Sequence, residues 1–259
     1  MKFYQIDSFT DTLFSGNPAA VCILKDKWPG ETIMQNIAAE NNLSETAFVL
    51  DVDGRLEIRW FTPTTEVPLC GHATLAAAHV LFEHEGYQGG LTFHSANYAL
   101  KVAYEGELLT LDFPVAKIWK VDFKEQLNCF NAIPNEVWRS EDEYLLIFDS
   151  RHDVENAVCN LEKAARIDLL GIIITAQADE DNIDFVSRYF GPKIGIDEDP
   201  VTGSAYTLLV PYWSRVMGKE NFNAVQLSKR RGKLFCRLAD NRVKIGGKAV
   251  TYAVGEIFI

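Results

Sequence analysis

The stretch Glu198-Asp199-Pro200-Val201-Thr202-Gly203-Ser204-Ala205 decides the fold, because it joins a charged turn directly to YTLLVPYW, a run too apolar to face water. A second junction of this kind, Glu66-Val67-Pro68-Leu69-Cys70-Gly71-His72-Ala73, precedes TLAAAHVLF. A helix that is apolar on nearly every side is enclosed by the rest of the fold. We therefore predict two buried helices, each beginning at a glycine.

The two junctions also align with each other as an internal repeat. Gly71 aligns with Gly203 at an offset of 132 residues, the difference between 203 and 71, and the residues that follow each glycine align at the same offset. Each junction combines an acidic-proline turn with a buried helix. The shared context favours duplication over chance similarity, and we predict two similar halves.

Strand patterns dominate the remainder of the chain. Apolar and charged residues alternate in RLEIRWF, and the Asp53-Gly54 pair before it predicts a tight hairpin. A second hairpin is expected around Glu105-Gly106. Helical spacing of apolar residues is rarer and predicts two amphipathic helices lying on sheets, over Glu31–Glu40 and Asp153–Arg166.

Composition limits the classes of partner. The chain has 259 residues, with 25 basic and 36 acidic side chains and a formal charge of −11, which argues against a nucleic-acid-binding surface. Its longest apolar runs are far shorter than the ~20 residues of a membrane-spanning helix. Five widely spaced cysteines and an N-terminus without an apolar signal core predict reduced thiols and a cytoplasmic location.

The two helix starts suggest a binding site for an anion. The first amides of a helix lack partners within the helix, and both these amides and the helix dipole favour negative charge. A glycine at each start lets a ligand approach the backbone closely. We expect a carboxylate site at Gly71, Gly203 and Ser204, in a cleft between the halves. The alternative is that these residues serve only as turn and capping residues.

Catalysis at such a site requires an acid or a base. Glu45 shares a strand face with Ala47 and Val49, so a carboxylate occupies a position where an apolar side chain is expected. Burial there would raise its pKa and suit it for proton transfer. His72 and Asp199 are further candidates. The alternatives are an exposed strand glutamate, a capping histidine and an ordinary aspartate.

Cofactor and metal motifs are missing from the sequence. There is no HExxH or CxxC pattern, no phosphate-binding Walker loop, no GxGxxG after a strand and no GxSxG elbow. The sequence therefore indicates neither a cofactor nor a bound metal.

Four motifs together resemble the phenazine-biosynthesis PhzF-like isomerase family. They follow in order over nearly the whole chain: FSGNPAAV from Phe14, NLSETAFV from Asn42, FTPTTEVPLCGHATL from Phe61 and DEDPVTGSA from Asp197. The resemblance implies the α+β, diaminopimelate epimerase-like fold, in which two pseudo-symmetric halves each curl a sheet around a central buried helix. The halves would be 1–113 with the final strand 250–259, and 114–249. Family members are commonly homodimers.

The resemblance also implies roles for individual residues. Glu45 matches the family's acid/base, and His72 and Asp199 match the other catalytic positions. Substrate binding falls to four further residues: Asn17, Gly71, Gly203 and Ser204. The implied reaction is a cofactor-independent proton shift on a small carboxylate, of the type that isomerises trans-2,3-dihydro-3-hydroxyanthranilate.

The sequence departs from the epimerase relatives at one position. Those enzymes use two cysteines as opposed bases, whereas this chain has Cys70 before Gly71 but Thr202 before Gly203. A two-thiol racemase is therefore disfavoured. Two alternatives to the isomerase stay open: an amino-acid epimerase that uses Cys70 as a second acid/base opposite Glu45, and a non-catalytic member that binds a metabolite or a protein. The sequence does not identify the substrate.

Overall fold

Residue contacts divide the chain into two units in the computed structural model, which describes residues 1–124, 127–180 and 182–259. Unit 1 comprises Met1–Asp112 and Ile245–Ile259, and unit 2 comprises Phe113–Lys244. No described helix has the length and apolar character needed to cross a bilayer.

Strands outnumber helices in both units. In chain order the strands are β1 (Lys2–Ser8), β2 (Asn17–Leu24), β3 (Glu45–Val52), β4 (Arg55–Phe61), β5 (Glu66–Val67), β6 (Leu91–His94), β7 (Ala99–Glu105), β8 (Leu108–Pro114), β9 (Trp119–Val121), β10 (Glu136–Arg139), β11 (Glu143–Ile147), β12 (Gly171–Gln177), β13 (Phe185–Gly191), β14 (Ile196–Asp199), β15 (Asn221–Gln226), β16 (Gly232–Ala239), β17 (Arg242–Gly247) and β18 (Ala249–Glu256). The helices are α1 (Glu31–Asn41), α2 (Gly71–Glu83), α3 (Arg151–Glu155), α4 (Leu161–Ala164) and α5 (Tyr206–Met217).

The strands of unit 1 pair in an alternating pattern. β1 and β2 are antiparallel, β2 and β3 parallel, β3 and β4 antiparallel, β4 and β6 parallel, and β6 and β7 antiparallel. The C-terminal strand β18 pairs antiparallel with β1. The two-residue strand β5 pairs with β4 and leads into α2.

Unit 2 repeats this pattern strand for strand. β10 and β11 are antiparallel, β11 and β12 parallel, β12 and β13 antiparallel, β13 and β15 parallel, and β15 and β16 antiparallel. The short strand β14 pairs with β13 and leads towards α5. The repeat that the two glycine junctions predict is therefore present in the pairing of the strands.

The apolar run after each junction forms a central helix, as predicted. In α2, ten of the 13 residues are buried, and the helix contacts β1, β2 and β3. In α5, the Trp213 Nε1 donates a 3.1 Å hydrogen bond to Thr175 Oγ1 in β12. Pro211 has no N–H for the carbonyl of Thr207, which instead accepts from the amide of Ala116 at 3.2 Å. The predicted α+β class is confirmed.

The outer face of each sheet carries the short helices. α1 lies on β3 and β4, and its residues Met34, Ile37 and Ala38 join the core with Phe48. In unit 2, α3 and α4 contribute to a core that includes Ile172 and Ile174 of β12. Each sheet is therefore covered on both faces by helices.

Local predictions were confirmed at both hairpins and wrong at one helix. β7 and β8 pair antiparallel around Gly106, with Glu105 opposite Leu108. Asp53 and Gly54 both have positive φ, 54° and 84°, as a tight β3–β4 turn requires. The single helix predicted over Asp153–Arg166 is wrong, because the chain forms α3 and α4 with a break between them. The side chain of Asn160 caps α4, and the backbone amide of Asn160 donates a 2.7 Å hydrogen bond to the carbonyl of Cys129. These bonds stabilise the break.

Gly16 provides a test of how the loop before β2 is held. Its φ is +67°, and a Cβ atom there would lie 2.1 Å from the backbone oxygen of Ser8. Gly106 has nearly the same φ, +66°, with no atom within 4 Å of the added carbon. We expect Gly106→Ala to lower the free energy of unfolding by about 1 kcal/mol, and Gly16→Ala to lower it by more than about 3 kcal/mol.

Urea unfolding of both variants, followed by circular dichroism, measures the difference. Equal losses in the two variants would show that the contact with β1 does not restrict Gly16.

Candidate active site

The ends of three elements in unit 1 bring the first group of candidate residues together. Asn17 and Glu45 begin the neighbouring parallel strands β2 and β3, in which Glu45 lies opposite Ala19. α2 begins beside them, because Ser8 at the end of β1 donates a 2.9 Å hydrogen bond to the carbonyl of His72. Asn17, Glu45 and His72 are thereby placed at one site.

His72 is the centre of this group. Its Nε2 lies 3.2 Å from Glu45 Oε2. Its Nδ1 lies 3.2 Å from Asn17 Nδ2 and 3.5 Å from Cys70 Sγ. All four side chains are buried, with Asn17 fully enclosed and Glu45 only 9% exposed. The imidazole therefore bridges a carboxyl group on one side and an amide and a thiol on the other.

The charge state of His72 follows from its burial. Burial lowers its pKa from 6.5 to about 3, so the ring is neutral near neutral pH. An amide N–H of Asn17 can only donate, which makes Nδ1 the acceptor and leaves the ring proton on Nε2. The Nε2–H group then lies on the side of Glu45. Asn17 thus specifies this tautomer, and the Cys70 thiol can donate to the same nitrogen.

The Nε2 of His72 also retains hydrogen-bonding capacity. Although Glu45 is close, Nε2 makes no well-aligned hydrogen bond to any group in the described part of the chain. A buried polar group without a well-aligned partner costs free energy unless a ligand or water satisfies it. This group can therefore donate to an atom of a bound substrate.

The beginning of α2 adds backbone donors to the site. Cys70 occupies the N-cap position, and its side chain makes no hydrogen bond to the backbone amides of the first turn. The hydroxyl group of Thr74 donates a 2.5 Å hydrogen bond to the carbonyl of Cys70. Gly71 and His72 thus start the helix without a capping hydrogen bond from the Cys70 side chain.

The same cluster is the one group of metal-ligand type found among the described residues. One donor atom each from Glu45, Cys70 and His72 lies within 4.8 Å of the others. The contacts, however, use different ring nitrogens: the thiol faces Nδ1 and the carboxyl faces Nε2. The thiol and the carboxyl group thus contact opposite sides of the ring.

The second group of candidates lies in unit 2. Asp199 ends β14 and accepts a 2.5 Å hydrogen bond from Thr202 Oγ1. Gly203 and Ser204 lie in a 3₁₀ turn, and α5 begins only at Tyr206. The α-helix therefore begins three residues later than the predicted start at Gly203, because the first turn is wound more tightly.

Gln226 holds this turn and was missed in the sequence. Its side-chain Nε2 donates a 2.9 Å hydrogen bond to the Asp199 carbonyl. Its Oε1 accepts a 2.9 Å hydrogen bond from the backbone amide of Thr202. Gln226 is buried in β15 and lies on the same face of the strand as the buried residues Phe222 and Ala224. A polar residue at an inward position of an alternating strand was the available signal.

Glu143 was also missed. Burial, assisted by the nearby Asp142, raises its pKa from 4.5 to about 7, although a hydrogen bond with Tyr189 opposes the shift. Tyr189 pairs with Asp199 across β13 and β14, and its hydroxyl would lie 2.4 Å from a Cβ atom at Gly171. Burial and the charges of Glu143 and Asp199 raise the Tyr189 pKa. Tyr189 thus lies between two acidic groups.

Comparison with known proteins finds a matching family and similar chains. Residues 6–255 match the family described as phenazine biosynthesis-like proteins, PhzC-PhzF. An uncharacterised isomerase of Pseudomonas aeruginosa is 46% identical over 259 residues, covering 99% of this chain and 98% of the relative.

Two solved structures share the whole architecture. A PhzF family protein of Enterococcus faecalis superposes with a TM-score of 0.95 at 39% identity, over 100% of this chain and 99% of the other. A putative PhzC/PhzF protein of Clostridium difficile gives 0.93 at 44% identity, over the full length of both chains.

The raised pKa of Glu143 predicts a dependence of stability on pH. Because the folded value, about 7, lies above the ordinary 4.5, the folded state binds this proton more tightly than the unfolded state. The stabilisation is present below the ordinary value and is lost as pH rises through about 7. We expect wild type to lose at most about 3 kcal/mol in this way, and Glu143→Gln to lose none.

The measurement is urea unfolding of wild type and Glu143→Gln at intervals across this pH range. Glu141→Gln, at an exposed position of the preceding turn, is the control and should follow wild type. Parallel pH profiles for wild type and Glu143→Gln would contradict the assignment.

Proposed function

This chain belongs to the phenazine biosynthesis-like family of isomerases, and from that premise we propose that it moves a proton within one small carboxylate substrate, using Glu45 and no cofactor. The observation that carries the proposal is the 3.2 Å contact between Glu45 and a neutral His72. A carboxyl group can take a proton from one carbon of a substrate and return it to another. One acid/base of this kind is sufficient for an isomerisation.

Neutral His72 has a specific part in this proposal. An imidazolium beside Glu45 would favour the carboxylate so strongly that the protonated form would be a poor intermediate. A neutral ring offers an N–H hydrogen bond without a full charge. The Nε2–H group can support the carboxylate or the substrate while leaving Glu45 able to accept and release a proton.

The substrate carboxylate is assigned to the beginning of α2. The amides of Gly71 and His72 have no capping side chain from Cys70, and the helix dipole adds to their attraction for an anion. Holding the carboxylate there would keep the reacting carbons within reach of Glu45. We propose that Asp199, Gly203 and Ser204 also contribute to substrate binding, as the family resemblance implies.

The distance between Glu45 and Cys70 argues against the epimerase alternative. Opposed bases on either side of one carbon lie roughly 6–7 Å apart, because each approaches that carbon to roughly 3–3.5 Å. The donor atoms of Glu45 and Cys70 are within 4.8 Å of one another. The Cys70 thiol also points at His72 Nδ1. These contacts support a single shuttle.

The proposal is tested by proton NMR of a panel of small carboxylates in deuterated water. The panel includes dihydro-hydroxyanthranilate and common amino acids. We expect wild type to exchange deuterium into one compound, and Glu45→Gln to be slower by on the order of 10³-fold, since the amide cannot accept the proton. Glu40→Gln, at an exposed position of α1, is the matched control and should retain wild-type exchange.

The labelled carbon identifies the reaction. Deuterium at an α-carbon with inverted configuration would indicate an epimerase, whereas a moved double bond would indicate the isomerase. Deuterium exchange at the wild-type rate in Glu45→Gln would refute the role of Glu45 as the shuttle. A biological role that is unchanged in this variant would indicate a binding protein.

Cys70→Ala separates the one-base and two-base mechanisms. We expect exchange to fall by less than about 10-fold, because Asn17 still specifies the tautomer of His72. A two-base epimerase would lose on the order of 10³-fold in the same variant. The rate of solvent deuterium incorporation in the panel assay measures the difference.

A further inference from the structure

Two thiols meet in unit 2 among residues that the proposed reaction does not use. Phe130 and Cys159 form an isolated antiparallel bridge, and the amide of Asn160 donates 2.7 Å to the carbonyl of Cys129. The Cys129 and Cys159 side chains are hydrogen-bonded to each other and pack in the same apolar cluster. Both thiols are free. These contacts place the two cysteines on neighbouring segments, with both side chains against one apolar cluster.

Cys159 differs from the other four cysteines in access, and Cys129 differs from Cys22 and Cys236 in acidity. Cys159 is partly exposed, whereas Cys129 is only 2% exposed. The hydrogen bond from Cys159 lowers the pKa of Cys129, and the same bond raises the pKa of Cys159. Burial raises the pKa of Cys22 to about 12 and also raises that of Cys236. Thiolate character thus lies on the buried Cys129 sulfur, and the Cys159 sulfur is the one that a reagent can reach.

We propose that Cys129 and Cys159 form a redox-active dithiol that closes to a disulfide on meeting a low-molecular-weight disulfide. With one proton between the two sulfurs, Cys159 passes that proton to the Cys129 thiolate and attacks the reagent, which releases one thiolate. Cys129 then attacks the Cys159 sulfur and releases the second. The one proton, now on Cys129, passes to a released thiolate, and the two electrons that the protein loses reduce the reagent.

An ion pair links this dithiol to β14. Arg188 donates 2.7 Å to the Ala157 carbonyl and 3.1 Å to that of Val154, in the segment that leads to Cys159. The same guanidinium binds both carboxylate oxygens of Glu198, at 2.6 and 2.9 Å. Glu198 directly precedes Asp199. A disulfide that displaces the 154–159 segment therefore loosens the contacts that hold β14.

The test uses wild-type protein and 4,4′-dithiodipyridine under native conditions. We expect rapid release of two equivalents of thiopyridone, an intact mass lower by two hydrogens, and a peptide map that joins Cys129 to Cys159. A stable pyridyl adduct on Cys159, a disulfide between other cysteines, or no reaction until the protein unfolds would each overturn the proposal.

Two variants locate the second step. Cys129→Ala should stop at the mixed disulfide on Cys159 and release one equivalent, because no second thiol is in reach. Cys236→Ala is the control and should close the disulfide like wild type. Release of two equivalents by folded Cys129→Ala would contradict the pairing.

Hydrogen exchange of the reduced and oxidised proteins tests the link to β14. We expect faster exchange in the peptide over 196–204 after oxidation, and an unchanged rate in β2. Equal exchange of 196–204 in both forms would overturn the link between the dithiol and β14.

Discussion

The burial of one neutral imidazole is the constraint on which the active-site account depends. His72 is 4% exposed and its pKa falls to about 3, so its proton is fixed by neighbours and not by solvent. Asn17 and Cys70 both lie on the Nδ1 side, which leaves Nε2–H on the side of Glu45. Because each of these residues lies at the end of a strand or the start of a helix, the proposed chemistry requires the register of the whole unit.

The repeat distributes two different tasks over one strand pattern. Unit 1 places ionisable groups at the start of its central helix, while unit 2 places a serine there and a turn held by Gln226. Glu45 is the first residue of β3, and Gly171 is the first residue of β12, the matching strand. The Tyr189 hydroxyl lies close over Gly171 and bonds to Glu143. The two units thus differ at the positions to which the proposed site is assigned.

Patterns with a local cause could be predicted from the sequence, and long-range contacts could not. The buried helices, the Asp53-Gly54 hairpin and the α+β class follow from periodicity and turn chemistry. The break near Asn160 could not be predicted, because its stabilising bond to Cys129 joins residues distant in the chain. Glu143 was missed for the same reason. For Glu45 and His72, the sequence identified the residues but not that their side chains touch.

Nitrogen-15 NMR of protein with labelled histidine tests the central claim most directly. The account predicts that the His72 signals show a neutral ring protonated on Nε2, unchanged from about pH 8 down to about pH 5, where a solvated histidine becomes charged. An imidazolium at neutral pH, or a ring protonated on Nδ1, would contradict it, since either state removes the neutral Nε2–H group placed beside Glu45.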